Sequence, residues 1–379
     1  MNPRAIDTTQ RPFVLVWEVT QACELACKHC RADALPERDP RELTTEEGRA
    51  LLADVRKFGE NQLVVLSGGD PLIREDVFEL VDYGTDLGLA VTMTPSGTSS
   101  LTDRRVETLA DTGLRRLALS LDGSSAARHD GFRGEEGSFA DTLAAAKAAQ
   151  SVGLPLQVNT TVCRETVDDL PEVRDLVAEL GAVLWSVFFL VPVGRGIQLD
   201  PITPPHAEQV MEWLGEVAQD APFGVKTTEA PHFRRVVAQQ RHTAANGGTP
   251  ERHDSSTETT GRSSIGRRSG IVAGDGFAFV SHTGDVYPSG FLPESAGNVR
   301  GSNIVDVYRE SPLFQRLRDR DALKGKCGAC EFRNLCGGSR SRAFAYTGDP
   351  LESDPLCSYE PAGYEGPLPT EYDGLLLGD

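Results

Sequence analysis

Two adjoining stretches decide the fold: Phe13-Val14-Leu15-Val16-Trp17, and then Cys23-Glu24-Leu25-Ala26-Cys27-Lys28-His29-Cys30. The first is a short apolar run with strand character. The second places three cysteines, Cys23, Cys27 and Cys30, on one loop in the spacing C-x3-C-x2-C. Three thiolates are one fewer than a closed structural metal site requires. They suit a [4Fe–4S] cube that keeps one iron open to a small ligand. A zinc site completed by His29 or by a distant cysteine is the competing reading.

Working outward, strand-like runs alternate with helical patterns as far as residue 218. The strands are expected at 63–66, 89–93, 117–119, 156–159 and 185–191. The helices are expected at 74–87, 102–112, 138–151, 168–180 and 206–218. A further helix starts at Thr44, where Thr-Thr-Glu-Glu offers a capping box between Thr44 and Glu47. Repeated βα units of this kind imply a parallel sheet with helices outside it. Six such units imply a partial (β/α)6 barrel in the α/β class. Residues 240–268 are polar and poor in apolar side chains, and read as a linker or loop. Strand character returns at Gly276-Phe277-Ala278-Phe279-Val280.

The chain has 379 residues, with 39% hydrophobic and 25% charged, and a net charge of −18. An acidic surface of this size repels nucleic acid, so a DNA or RNA partner is not expected. No apolar run approaches the ~20 residues of a membrane helix, and the N-terminal residues lack an apolar signal segment. A cytoplasmic location is expected, where the eight cysteines read as ligands or free thiols before disulfides.

In βα barrels, functional groups gather where strand C-termini meet the loops that follow. The cysteine loop lies there after the first strand. Ser67-Gly68-Gly69-Asp70-Pro71 follows the second, Thr94-Pro95-Ser96 the third, and Ser120-Leu121-Asp122-Gly123 the fourth. Asn159 lies late in the fifth, and Pro192-Val193-Gly194-Arg195-Gly196 follows the sixth. Taken with the cysteine loop, these segments resemble the radical S-adenosylmethionine (SAM) superfamily. Gly68, Gly69, Asp70 and Pro71 match that family's Gly-Gly-Glu-Pro motif, with Asp for Glu. The resemblance implies that they bind the SAM amino group, as two glycines let a backbone approach a ligand closely. Ser120 and Asp122 match its strand-four motif, and Asn159 is a candidate for the ribose. An ordinary turn, or a satisfied backbone neighbour, remains the plain reading of each. Cys163 reads as a buried thiol.

Cys327, Cys330, Cys336 and Cys357 form a second group, C-x2-C-x5-C-x20-C. Their spacing alone also suits zinc. They resemble the auxiliary iron–sulfur domains of the SPASM and Twitch types, and four cysteines imply one auxiliary [4Fe–4S] cluster. Ser289 in Tyr287-Pro288-Ser289-Gly290 stands where the larger type often has a cysteine. The resemblance divides the chain into a barrel at 10–235, a polar insert at 236–268, a small cysteine-rich auxiliary domain at 269–362 and a loose tail at 363–379.

Segments 91–96, 188–196, 287–293 and 336–343 are similar to the haem-biosynthesis branch of the family. That similarity implies reductive cleavage of SAM to a 5′-deoxyadenosyl radical, then oxidative decarboxylation of porphyrin propionates, as from iron-coproporphyrin III to haem b, or a related tetrapyrrole side-chain modification such as the propionate removal of haem d1 biosynthesis. Two [4Fe–4S] clusters, SAM, a tetrapyrrole substrate and a donor such as ferredoxin or flavodoxin follow from it. Neither nucleic acid nor membrane is expected as a partner. Arg195, Arg340 and Arg342 are candidates to grip a propionate, because arginine binds carboxylates bidentately. A maturase acting on a peptide side chain is the alternative, disfavoured because no peptide-binding module is apparent before residue 13. A zinc-binding interaction protein without catalysis is the remote one.

Overall fold

The computed structural model describes residues 6–245 and 271–368. Most of the expected polar insert and tail, 246–268 and 369–379, therefore lie outside the described residues. Seven parallel strands run in chain order: β1 (Val14–Thr20), β2 (Leu63–Gly68), β3 (Ala90–Met93), β4 (Arg116–Ser120), β5 (Leu156–Val162), β6 (Leu184–Phe189) and β7 (Gly224–Thr228). Helices α1 (Thr45–Arg56), α2 (Val77–Asp86) and α3 (Asp103–Asp111) follow the first three strands. Helices α4 (Ala126–Arg133) and α5 (Ser138–Ser151) follow β4, α6 (Leu170–Glu179) follows β5, α7 (Pro204–Asp220) follows β6, and α8 (His232–Ala245) follows β7.

Local chemistry accounts for these elements. Thr44 caps α1 by accepting from Glu47 N at 3.2 Å, and Glu47 returns the bond to Thr44 N at 2.8 Å. Alternation along each strand sends one face outward under the helices. Leu15, Trp17 and Val19 of β1 join Leu51 and Leu52 of α1 and Leu80 of α2 in one buried apolar layer. Gly48 is needed there, since a Cβ would stand 2.5 Å from the Trp17 ring.

The partial barrel is present, with one strand more than the six units read from the sequence. β7, Gly-Val-Lys-Thr-Thr, carries too little apolar character to announce itself. The sheet also continues past β1. Strands β8 (Val272–Ala273), β9 (Gly276–Val280), β10 (Asp285–Tyr287) and β11 (Gly297–Asn298) come from the C-terminal region, and β9 pairs in parallel with β1 from Val14↔Phe277 to Trp17↔Val280. β10 and β11 extend it antiparallel, giving eleven strands in one sheet. Among the described residues, no helix is long and apolar enough to cross a membrane.

A buried ion pair clamps the cysteine-rich region to the barrel. Arg342, at 1% exposure, donates to Asp354 at 3.2 Å and to the carbonyls of Phe189 and Leu190 at the end of β6. Removing one partner of such a pair leaves a buried charge uncompensated, at about 3–5 kcal/mol. Arg342→Met is expected to lower the denaturation midpoint by that order, and a second change, Asp354→Asn, to recover part of it; chemical denaturation of the reconstituted protein reads both.

Candidate functional site

The three-cysteine loop leaves β1 and is held by the turn after β2. Gly69 N donates to Thr20 O at 2.9 Å and Asp70 N to Ala22 O at 2.7 Å, which prolongs the β1–β2 pairing into both loops. The two backbones lie so close that a Cβ on Gly68 would stand 2.1 Å from Thr20 O, and one on Gly69 2.1 Å from Ala22 O. Gly68 also takes φ +142°, which side-chain-bearing residues rarely adopt. The glycines thus serve the cysteine loop directly, whatever ligand they also meet. Ser96, after β3, joins the two loops: its hydroxyl lies 3.2 Å from Cys23 Sγ and 3.1 Å from Gly69 O.

Cys23, Cys27 and Cys30 lie together and carry no disulfide. Leu25 N and Ala34 N donate to the sulfurs of Cys23 and Cys30, each at 3.4 Å. Burial pushes the Cys27 thiol up to about 11, against the pull of the Arg133 charge. Such a thiol ionises readily only beside a metal. Backbone donors to sulfur, a nearby cation and three free thiols fit an iron–sulfur group. Among the described residues, no three His, Cys, Asp or Glu side chains are grouped as around a single metal ion.

Asp70 is buried and caps its own turn by accepting from Leu72 N at 3.0 Å. Burial raises its carboxyl above the ordinary range, and the groups that hold it down are uncharged donors at Leu72, Ser96 and Thr98. A buried carboxylate so placed suits an arriving ammonium. Pro71 opens the short 3-10 turn that follows. Ser120 and Asn159 are register partners on β4 and β5. Asn159 accepts from Gln157 at 2.6 Å. Asp122 is buried, accepts from Thr161 N at 2.7 Å, and stays ionised below the usual carboxylate range because His29 and Arg133 outweigh the cost of burial.

His29 does not turn toward the sulfurs as a ligand. Its ring stacks on Phe132 at 4.8 Å and its Nε2 lies 3.8 Å from Asp122. Burial pushes it down to about 4 against the pull of Asp122, and Nδ1 is buried without a partner. Arg133, which donates to Ser96 O at 3.0 Å, is a site residue that the sequence reading did not assign, and His29 entered it only as the ligand of a competing zinc site. Only the position of His29 inside the cysteine motif hinted at it.

The second cysteine group also converges. Cys327, Cys330, Cys336 and Cys357 line one cavity with His232 and Arg235. Three of the sulfurs accept backbone N–H groups at 3.4 Å, from Asp354 to Cys327, Phe332 to Cys330 and Gly338 to Cys336. Burial pushes Cys330 up to about 12 and Cys336 up to about 11. Ser289 instead donates to Glu229 at 3.1 Å, alongside Ser341 at 3.0 Å and Ser339. Cys163 is buried beside Thr166.

The three arginines expected at a substrate carboxylate require correction. Arg340 is fully buried and donates to Pro350 O and Glu352 O at 2.8 Å and to Cys327 Sγ at 3.6 Å. Arg342 is the clamp on Asp354. Arg195 donates to Cys27 O at 2.9 Å and Ala34 O at 3.2 Å, which ties down the cysteine loop. Arg340 and Arg342 are thus engaged through all their donors, whereas Arg195 is tied down through Nε and Nη1 and keeps a buried Nη2 without a partner. Arg195→Ala is accordingly expected to speed loss of iron from the N-terminal cysteines to a chelator severalfold, read by absorbance; an unchanged rate would remove the anchoring role.

The radical SAM superfamily model matches residues 17–177. The AdoMet-dependent heme synthase of Methanosarcina barkeri is 40% identical over 94% of this chain and 99% of its own length. The pre-heme d1 synthase of Dinoroseobacter shibae is 30% identical over 94% and 88%. Among solved structures, Streptococcus suis SuiB bound to S-adenosylmethionine superposes with a TM-score of 0.68 over 92% of this chain and 78% of its own, at 18% identity, a likeness of fold. The chain belongs to the radical SAM superfamily, whose enzymes use a [4Fe–4S] cluster and SAM.

Proposed function

We propose that this chain decarboxylates porphyrin propionates, converting iron-coproporphyrin III to haem b. The observation that carries the reading is the 40% identity with a named AdoMet-dependent heme synthase across nearly the whole of both chains. The pre-heme d1 synthase shares the layout at 30%, which favours haem b over the d1 precursor. The barrel over 10–235 and the cysteine-rich region over 269–362 are the two working parts.

Cys23, Cys27 and Cys30 are the residues to hold the SAM-binding cube, and Cys327, Cys330, Cys336 and Cys357 those for an auxiliary [4Fe–4S] cluster. When bound, the first supplies the one-electron reduction that cleaves SAM, and the second a place for an electron to go. The chain's own residues do the positioning. Gly68 and Gly69 bring the cysteine loop and the SAM-facing turn into one rigid unit. Asp70 offers a buried carboxylate to the SAM amino group. Ser120, Asp122 and Asn159 present polar groups at the ends of β4 and β5, with Asp122 fixed by Thr161 N and Arg133. Each propionate loses a hydrogen atom, CO2 and one electron, and leaves a vinyl group. A donor of the ferredoxin or flavodoxin kind supplies the electron that starts each cycle.

The test is anaerobic reconstitution followed by incubation with SAM, dithionite and iron-coproporphyrin III. Expected products are 5′-deoxyadenosine and a porphyrin lighter by one CO2 and two hydrogens per reacted propionate, seen by mass spectrometry. Deoxyadenosine beside an unchanged porphyrin would sink the substrate and turn attention to peptides. Iron content tests the two cysteine sets separately. With Cys23, Cys27 and Cys30 all changed to Ala, about four irons per chain should remain, one cube's worth. Zinc in their place would refute the auxiliary cluster.

A further inference from the structure

Strand alternation sorts the side chains of β4 to β7 onto two faces. Leu117, Leu119, Val158, Trp185 and Val187 join the packed layer beneath the helices. Arg116, Ser120, Asn159, Ser186 and Lys226 therefore take the concave face. Register sets Ser120, Asn159, Ser186 and Lys226 in one row across four strands. The Ser186 and Thr228 hydroxyls, 3.3 Å apart, show that β6 and β7 turn these positions to the same side. Arg116 stands four residues before Ser120, about 13 Å down β4 at ~3.3 Å per residue.

This concave face is not packed shut, unlike the filled interior of a closed eight-stranded barrel. Val14, Val16, Leu63 and Val65 on β1 and β2 are only half-buried, as is Arg116, and Lys226 is exposed. One wall is thus apolar and the other carries two cations. Among the described residues, neither cation has a carboxylate to meet. The charge acting on Arg116 is that of Arg115, and the charge acting on Lys226 is that of Arg116. Arg116 Nε is buried with no partner. Lys226, though open to water, is ringed closely enough by protein that burial, together with Arg116, pushes its ammonium down to about 8.

Two cations on one concave face, in a chain with 56 acidic and 38 basic residues, invite an anion from outside. Arg116 offers a planar fork for a carboxylate and Lys226 a point charge. We propose that Arg116 and Lys226 form a carboxylate-binding site on the concave face of the barrel, which holds a propionate that the substrate keeps while another reacts at the rim. Val14, Val16, Leu63 and Val65 give the tetrapyrrole ring its apolar wall. This inference rests on the porphyrin reading above, and it moves the substrate contacts from Arg195, Arg340 and Arg342 to two cations that the protein leaves unpaired.

Absorbance titration of the reconstituted protein with iron-coproporphyrin III and with its tetramethyl ester tests it. The double variant R116Q/K226Q should bind the tetra-acid at least about tenfold more weakly than the natural chain, as loss of a charge-assisted contact implies. It should bind the ester as the natural chain does. R116K/K226R, which keeps both charges, should retain most of the affinity for the acid. Equal affinity of R116Q/K226Q and the natural chain for the acid would overturn the site and leave the decarboxylase reading standing. An equal fall for acid and ester would also overturn it, since the pair would then shape the barrel rather than bind a carboxylate. Failure of the natural chain to bind either porphyrin would overturn both readings.

Discussion

The contact between two backbones, Thr20-Gln21-Ala22 and Gly68-Gly69-Asp70, is the constraint on which the site depends. Sheet pairing ordinarily ends where strands end. Here it runs on through the hydrogen bonds from Gly69 and Asp70 to Thr20 and Ala22, and the cysteine loop inherits the rigidity of β1 and β2. A loop carrying three thiols would otherwise sample many arrangements, at an entropic cost for each residue ordered. Ser96 and Arg195 add ties from β3 and from the turn after β6. Three barrel strands therefore converge on one short loop.

The C-terminal region is bound to the barrel by the same kind of economy. β9 adds to the free edge of β1, so the strand that launches the cysteine loop is flanked on both sides. Arg342 meets the carbonyls at the end of β6, and Glu229, in a left-handed turn after β7 at φ 56°, gathers the hydroxyls of Ser289, Ser339 and Ser341. The second cysteine cavity is consequently fixed relative to the first by contacts at both ends of the sheet.

Much of this was legible in the sequence, because its signals were local. The capping box at Thr44, the alternation of apolar runs and the placement of each motif after a strand needed no knowledge of distant partners. β7 was missed because its concave face is polar and its flank carries Gly224, so hydrophobic pattern had little to register. β9 was seen as a strand, but its parallel pairing with β1 joins residues more than 260 apart. The arginines were misread for the same reason. From sequence, an arginine near a site suggests an anion; only the fold shows that Arg342 meets Phe189 and Leu190, or that Arg195 meets Cys27.

The useful distinction is between cations that the fold consumes and cations that it leaves over. Burying a guanidinium is costly unless its donors are met; Arg340 and Arg342 meet theirs with carbonyls, Cys327 and Asp354, and Arg195 spends Nε and Nη1 on Cys27, Ala34 and Asp33, so all three hold loops in place. Arg116 and Lys226 sit on strands, where backbone groups are already paired with neighbours and have little to give to side chains. A cation on the concave face of a sheet can be satisfied only by another side chain, by water or by a ligand. In this lumen the side chains across the row are serine and asparagine, which are weak partners for a full charge. Removing water from such a pair favours whatever anion enters with the apolar body of the ligand. Charge that serves only solubility has no reason to stand there, since water and the other acidic and basic groups of the surface would balance it at no conformational cost.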